Sequence, residues 1–508
     1  MQKPWRCQTS PRGLSGRGGL AAVFFLAAVF LMPQAARAAD PRPADPRAEG
    51  GMLSWPRADM VRALGIFVPE RMKELDVPGV GIAVVADGEI VYSGTFGKAD
   101  KRADAPVTPS TRFEAGELGE AVAAYAAISM VRDKLLFLDA PLSRDLPKPW
   151  LRDAGDNARV TLRQVLTNTS GLGDNAAHPS HVTSFEPGSR FSHSGVGFLY
   201  LQHVMEVVSG QPFEEAMSQR AFKPLGMDTS SYLPGEEEHA PLARGYVPVG
   251  FLLTSFYLPF AISFIVIVTL LWALSRFTLQ RRVEPADMIW PAAGGLLFAI
   301  GMVWWGLGVG AAFFVIGIAV FYALGVSALG AFFYYLAYIA GIARSRDGFI
   351  DRGRGRPESI VIAGAFVLAL VASMPVFNHM LRVPVWPFLR ESVSAASSFR
   401  TTAPDMARFM IEIMDGRQMG PKMQARMLNE RVPVEGPYFW CLGLGLRQDR
   451  DHETLWTRGS ATGFESLMVM DPSRRAGVVV LTNSREGAAL AQDVARNVLG
   501  IEAVWSLP

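Results

Sequence analysis

The 508 residues predict an α+β exported domain, built on one antiparallel sheet with helices packed against it and interrupted by a membrane insertion. Three observations carry that expectation. Strand–turn–strand patterns lie near both ends of the chain. Helical patterns lie between them and at the C-terminus. A central block, 251–378, holds three long stretches without a single charge.

The elements follow in order. Lys3, Arg6, Arg12 and Arg17 precede an apolar stretch from Gly19 to Met32, and Ala36-Arg37-Ala38 supplies a small-x-small cleavage pattern. This is the layout of an export signal, here 1–38. Residues 39–57, rich in Pro, Arg, Gly and Ala, read as a linker. Residues 58–250 open the folded domain. Gly81-Ile-Ala-Val-Val-Ala-Asp87-Gly88-Glu-Ile-Val-Tyr is strand, Asp-Gly turn, strand, and Ala115 to Lys134 has helical spacing.

Phe251 to Ser275 is uncharged for 25 residues, Met288 to Ala343 for 56 and Ser359 to Asn378 for 20. One crossing takes about 20 residues. The middle stretch, about 84 Å as a single helix, must therefore turn back, and Gly306, Gly308 and Gly310 mark the place. The expected spans are 251–275, 288–307, 311–342 and 359–378. Arg276, Arg281 and Arg282 in one polar loop, and Arg344, Arg346, Arg352, Arg354 and Arg356 in the other, then fall on the cytoplasmic side. No ionisable side chain interrupts a span, so ion or proton transport is not indicated.

Residues 379–508 complete the domain, with strand patterns at Glu465–Asp471 and Ala476–Asn483 and a closing helix from about Glu486 to Leu499. Strands at both ends of the chain imply one sheet finished by both. The expected address is the bacterial inner membrane, multi-pass, with the domain on the periplasmic side. Lys+Arg 49 against Asp+Glu 47 gives a net charge of +2, which offers nothing to nucleic acid. Signal cleavage removes Cys7 and leaves Cys441 alone, so no intrachain disulfide forms.

Ordered stretches in both flanks resemble the serine β-lactamase-like family: class C β-lactamases, low-molecular-weight penicillin-binding proteins, related esterases and D-amino-acid peptidases. They are Val77-Pro-Gly-Val-Gly-Ile-Ala-Val-Val, Phe96 to Phe113, Leu138-Asp-Ala-Pro-Leu, Val160 to Leu172 and Phe185-Glu-Pro-Gly-Ser-Arg-Phe. Phe222-Lys-Pro-Leu-Gly-Met-Asp, Thr401 to Phe409 and Gly463-Phe-Glu-Ser continue the series. The resemblance implies that family's antiparallel sheet flanked by helices plus a helical subdomain. The inserted bundle departs from it.

The chemistry departs too. The family's nucleophile motif, S-x-x-K, pairs a serine with a lysine one turn on that helps remove its proton. The register set by Arg112-Phe113 puts Glu117 and Glu120 in those places. The tyrosine motif reads His193-Ser194-Gly195, and the strand motif reads Thr457-Arg458-Gly459. Three altered motifs point to loss of the acyl-enzyme reaction and hence to a pseudoenzyme.

Glu117 and Glu120 share a helix face, and in the family geometry His193 faces them. Three readings follow: an ion-pair plug in which Arg458 meets a glutamate, a ligand or divalent-metal site, and a non-standard Glu/Glu/His hydrolase of envelope peptides or esters. The plug is favoured. Asp174, His178 and His181 sit in a bordering loop and read as solvated. Cys441 reads as core. No cofactor is called for. The expected partners are the lipid bilayer, another envelope or membrane protein and a cell-wall peptide.

Overall fold

A computed structural model describes residues 51–152, 159–174, 179–233, 241–247, 393–449 and 452–506. The expected signal, 1–38, and the four expected spans lie outside the described residues. Among the described residues no helix is long and apolar enough to cross a membrane.

The first half supplies α1 (Arg57–Glu74), β1 (Gly79–Ala86), β2 (Glu89–Asp100), β3 (Ala105–Pro106), β4 (Phe113–Glu114) and α2 (Leu118–Arg132). It continues with α3 (Leu162–Leu166), α4 (Gly195–Ser209) and α5 (Phe213–Met217). The second half supplies β5 (Arg400–Thr401), α6 (Ala403–Asp415), α7 (Pro421–Asn429), β6 (Val432–Glu435), β7 (Tyr438–Trp440) and β8 (Gly445–Gln448). Then come β9 (Glu453–Ala461), β10 (Phe464–Asp471), β11 (Ala476–Thr482) and α8 (Gly487–Leu499).

Nine strands form one antiparallel sheet in the order β3-β2-β1-β11-β10-β9-β8-β7-β6. The expectation that both chain ends complete one sheet is met inside it, where Val80 pairs with Thr482 and Val84 with Val478. The Asp87-Gly88 turn adopts positive φ at both residues, 53° and 78°, the twist that a two-residue hairpin needs.

The sheet separates two apolar layers, and strand alternation explains them. Val80, Ile82 and Val84 of β1 join Met60, Leu64 and Val68 of α1 and Leu490, Val494 and Val498 of α8 on the outer face. Ala83 and Val85 face the other way, toward α2 and α6. Helix α2 is buried along most of its length, Leu118 to Met130, because it runs through the middle of that inner layer. Its alanines let neighbours approach closely. The linker is shorter than expected: Met52 is buried in the outer layer, so the residues from 51 onward belong to the fold.

Candidate active site

Three segments meet at the first turn of α2. Glu117 is its N-cap and Glu120 lies one turn on. Both glutamates therefore stand at the start of one helix. The lead-in to the helix lies against β9 at contact distance. A Cβ on Gly459 would sit 1.8 Å from the Ala115 carbonyl oxygen, and Gly116 itself has φ +53° beside Ser460. Only glycine fits at 459, which is why that position of the third motif is kept although its neighbours changed.

Glu117 uses this proximity. Its Oε2 accepts the backbone N–H of Ser460 at 2.6 Å. A backbone N–H aimed into a pocket beside a helix N-terminus is the kind of donor that stabilises a developing oxyanion. Here it holds the protein's own carboxylate.

Glu120 is held from the other side. Its Oε2 receives His193 Nε2 at 2.9 Å, and His193 Nδ1 meets Asp174 Oδ1 at 2.7 Å. The row runs from a glutamate 4% exposed, through a ring 27% exposed, to an aspartate 53% exposed. Glu120 Oε1 is buried and has no hydrogen-bond partner. Burial pushes the Glu120 carboxyl up to about 7; His193 opposes the shift, and the carboxylates of Glu117 and Asp174 add to it. Burial opposes protonation of His193, yet the charge of Glu120 and the bond to Asp174 outweigh it and raise the ring well above its usual value.

The loop that presents His193 is organised by Asn168, which adopts φ 54°. Its carbonyl accepts Ser192 N at 2.7 Å and its side-chain oxygen accepts Ser194 N at 3.1 Å. Asn168 follows α3, whose start is closed by a Thr161/Gln164 capping box. Ser194 is committed to structure: its hydroxyl accepts Gly197 N, capping α4, and donates to the Gly173 carbonyl. Gly195, the first residue of α4, donates its N–H to Asp174 at 3.3 Å.

Arg458 does not bridge to Glu117 or Glu120 as the sequence reading expected. It pairs with Glu465, Nη2 to Oε2 at 3.0 Å, and Ser460 Oγ donates to the other oxygen of Glu465 at 3.0 Å. Strand parity is the reason. Trp456 belongs to the outer layer and Leu455 to the inner one, so Arg458 shares the outer face with Trp456. Glu465, two residues from the outer-layer Leu467, meets it there. Thr457, on the inner side, is buried opposite Met468. Burial raises the pKa of Glu465, against the pull of Arg458.

The structure thus brings Glu117, Glu120, His193 and Gly459 together and sends Arg458 away. The sequence reading undervalued Asp174, which holds the outer nitrogen of His193, and missed Ser460 and Glu465. Asp174, two residues after the family-like stretch that ends at Leu172, was the available signal. His181 lies elsewhere, its Nδ1 on the Trp150 carbonyl, and His178 is outside the described residues. Among the described residues no three His, Cys, Asp or Glu side chains are placed to hold a metal ion, so the weak metal candidate of Glu117, Glu120 and His193 gains no geometric support. Cys441 is buried, and burial pushes its thiol up to about 12, as a core cysteine requires.

Comparison with known proteins agrees with this architecture. Esterase EstB of Burkholderia gladioli is 29% identical over 217 residues, which cover 37% of this chain and 55% of the esterase. The putative penicillin-binding protein PbpX of Bacillus subtilis (strain 168) is 27% identical over 201 residues, 37% of this chain and 50% of that protein. The chain spans about half the length of these curated relatives. Among solved structures, the octameric penicillin-binding protein homologue from Pyrococcus abyssi superposes with a TM-score of 0.52 at 18% identity, covering 86% of this chain and 79% of that one. D-alanine carboxypeptidase AmpC from Burkholderia cenocepacia gives 0.51 at 18% identity, covering 87% and 99%. At these identities the structures speak for the fold alone. The Beta-lactamase family pattern matches residues 67–311 and 347–503, most of the chain, and with the nine-stranded sheet it shows that the protein belongs to the beta-lactamase family.

Proposed function

We propose that the chain is a membrane-anchored, periplasm-facing pseudoenzyme of this family that serves as a binding, scaffold or regulatory subunit in the cell envelope. One observation carries the reading: the carboxylate of Glu117, at the nucleophile's position, lies on the Ser460 N–H at 2.6 Å. A glutamate there cannot repeat a serine's acyl transfer, and it occupies a donor that a substrate's oxyanion would need. Glu120, at the lysine's position, is tied to His193 and has no serine to activate. Loss of the nucleophile alone costs on the order of a million-fold in a serine hydrolase.

The membrane anchor rests on the uncharged stretches within 251–378. The pairing of β1 with β11 supports an even number of crossings, because both flanks must lie on one side of the bilayer to share a sheet. An envelope or membrane protein, with the bilayer and a cell-wall peptide, remains the partner class this architecture suits.

A second reading, a Glu/Glu/His hydrolase of envelope peptides or esters, draws on the Glu120 carboxyl near 7, a value suited to general acid–base work. One experiment separates the two. Full-length protein in detergent is offered β-lactams, short esters, D-amino-acid peptides and a fluorophosphonate label, beside Glu117→Gln and His193→Ala. The pseudoenzyme gives no turnover and no covalent adduct in a folded sample. Turnover that disappears in both variants would establish the hydrolase instead.

A further inference from the structure

Helix α1 packs on the outer face of the sheet, and its charges serve two different ends. Arg71 is tied into the fold, to Asp493 of α8 at 2.7 Å and to Glu74 at 2.7 Å. A second set faces outward. Asp59, Arg62, Ile66, Glu70 and Lys73 are all exposed. Their spacing of three, four, four and three residues keeps them on one side of an α-helix. Ile66, in the middle, is 56% exposed, the most exposed large apolar side chain among the described residues. On its flank a Cβ at Gly65 would meet nothing within 4 Å, so no described element covers this side of the helix. Asp59 and Arg62 pair loosely with each other at 3.5 Å, their side chains 51% and 74% exposed. Glu70 and Lys73 make no ion pair among the described residues.

The stripe reads minus, plus, apolar, minus, plus, and reversing that order yields its complement. A second α1 laid antiparallel across it, about a two-fold axis through Ile66, sets Asp59 against the partner's Lys73 and Arg62 against the partner's Glu70. Ile66 then meets the partner's Ile66 on the axis. A parallel, in-register pairing would instead set every charge against its like. Interfaces between identical copies related by a two-fold axis have this property: one patch that complements itself. We infer that the exposed stripe of α1 is a docking surface for the same stripe on a second copy of this chain. None of these residues belongs to the cluster around Glu120, so the pairing is independent of what that cluster does. One helix face is small beside the roughly 800 Å² per partner of a standard interface. The association is therefore weak and reversible, with the charges fixing its direction and Ile66 its centre.

The test is disulfide cross-linking of the full-length chain in detergent, read on non-reducing gels. Cys7→Ser leaves only the buried Cys441, and Ile66→Cys then places one thiol on the proposed axis. Phe137→Cys, at a position 46% exposed and far along the chain, is the control. Ile66→Cys should cross-link to its own copy at least tenfold more than the control, and the yield should fall on dilution. Adding Arg62→Glu, or Glu70→Arg, turns two attractions across the axis into two repulsions and should lower the yield about tenfold. The two changes together should restore it. Residues 62 and 70 lie about 12 Å apart along one helix, too far to pair within it, so restoration reports on contact between copies. Should a single swap unfold the protein, high salt gives a second reading: it should cut Ile66→Cys cross-linking several-fold. Cross-linking no greater than the control overturns the inference, and so does a folded double swap that fails to recover. Self-association that neither single swap alters places the contact elsewhere, as in the segment 251–378, and also overturns it.

Discussion

Raising the pH from 5 to 8 should weaken this fold through one side chain, and the size follows from its burial. Glu120 carries its proton up to about 7 in the native state, whereas an unfolded glutamate releases it near 4.5. Between those values the folded protein holds one proton more than the unfolded chain. Stability therefore falls as the pH rises, by about 1.4 kcal/mol per unit. Integrated from pH 5 to pH 8, the loss is about 2.5 kcal/mol. His193 acts in the same sense: its raised pKa gives stability that is full below the ordinary histidine value and lost as the pH climbs through the folded one. Asp133 and Asp139, lowered chiefly by their bonds to Arg132 and Arg163, act oppositely and only in acid. Glu120→Gln removes the effect, together with the part of the His193 shift that Glu120 causes. In urea titrations of the full chain followed by tryptophan fluorescence, the variant should gain about 2–3 kcal/mol relative to the parent between pH 5 and pH 8. A difference that stays constant across that range would refute the argument, because it would mean that Glu120 is ionised throughout.

Gly459→Ala should force a methyl group into the Ala115 carbonyl, destabilise the fold by about 1–3 kcal/mol and loosen the Glu117 contact; the checks are a denaturation midpoint and the exchange rate of the Ser460 amide. Ser194→Ala removes the cap of α4 and should cost about 1 kcal/mol in the same titration, with no change in any hydrolytic activity. Cys441 should resist iodoacetamide at pH 8 in the native protein and react fully in urea, as mass spectrometry would read; rapid native labelling would contradict its burial.

The fold was legible because its signals are redundant. The apolar runs of β1, β10 and β11, the Asp87-Gly88 turn and the apolar run of α2 each point the same way, and the order of family-like stretches joins them. The site was half legible. Glu117 and Glu120 came from register, and His193 from its neighbours. Arg458 was not legible from motif position alone, because strand parity decides its face: Trp456 is outward, so a residue two further on is outward too. Asp174 was discounted because an acidic residue in a loop looks solvated until a ring is found beside it. Ser460 was invisible because it acts through its backbone N–H, which every residue but proline carries.

The pairing of β1 with β11 also governs the order in which the protein can come into being. Val80 leaves the ribosome long before Thr482, and each residue between them is made before the two can meet. Until then β1, apolar on both faces, has an open edge where its final neighbour will lie. Such an edge invites pairing with other chains. The first half is thus a client for whatever guards nascent chains, and a product truncated before β11 loses an interior strand of the sheet. A stop codon anywhere upstream of residue 476 should yield a species removed by proteolysis.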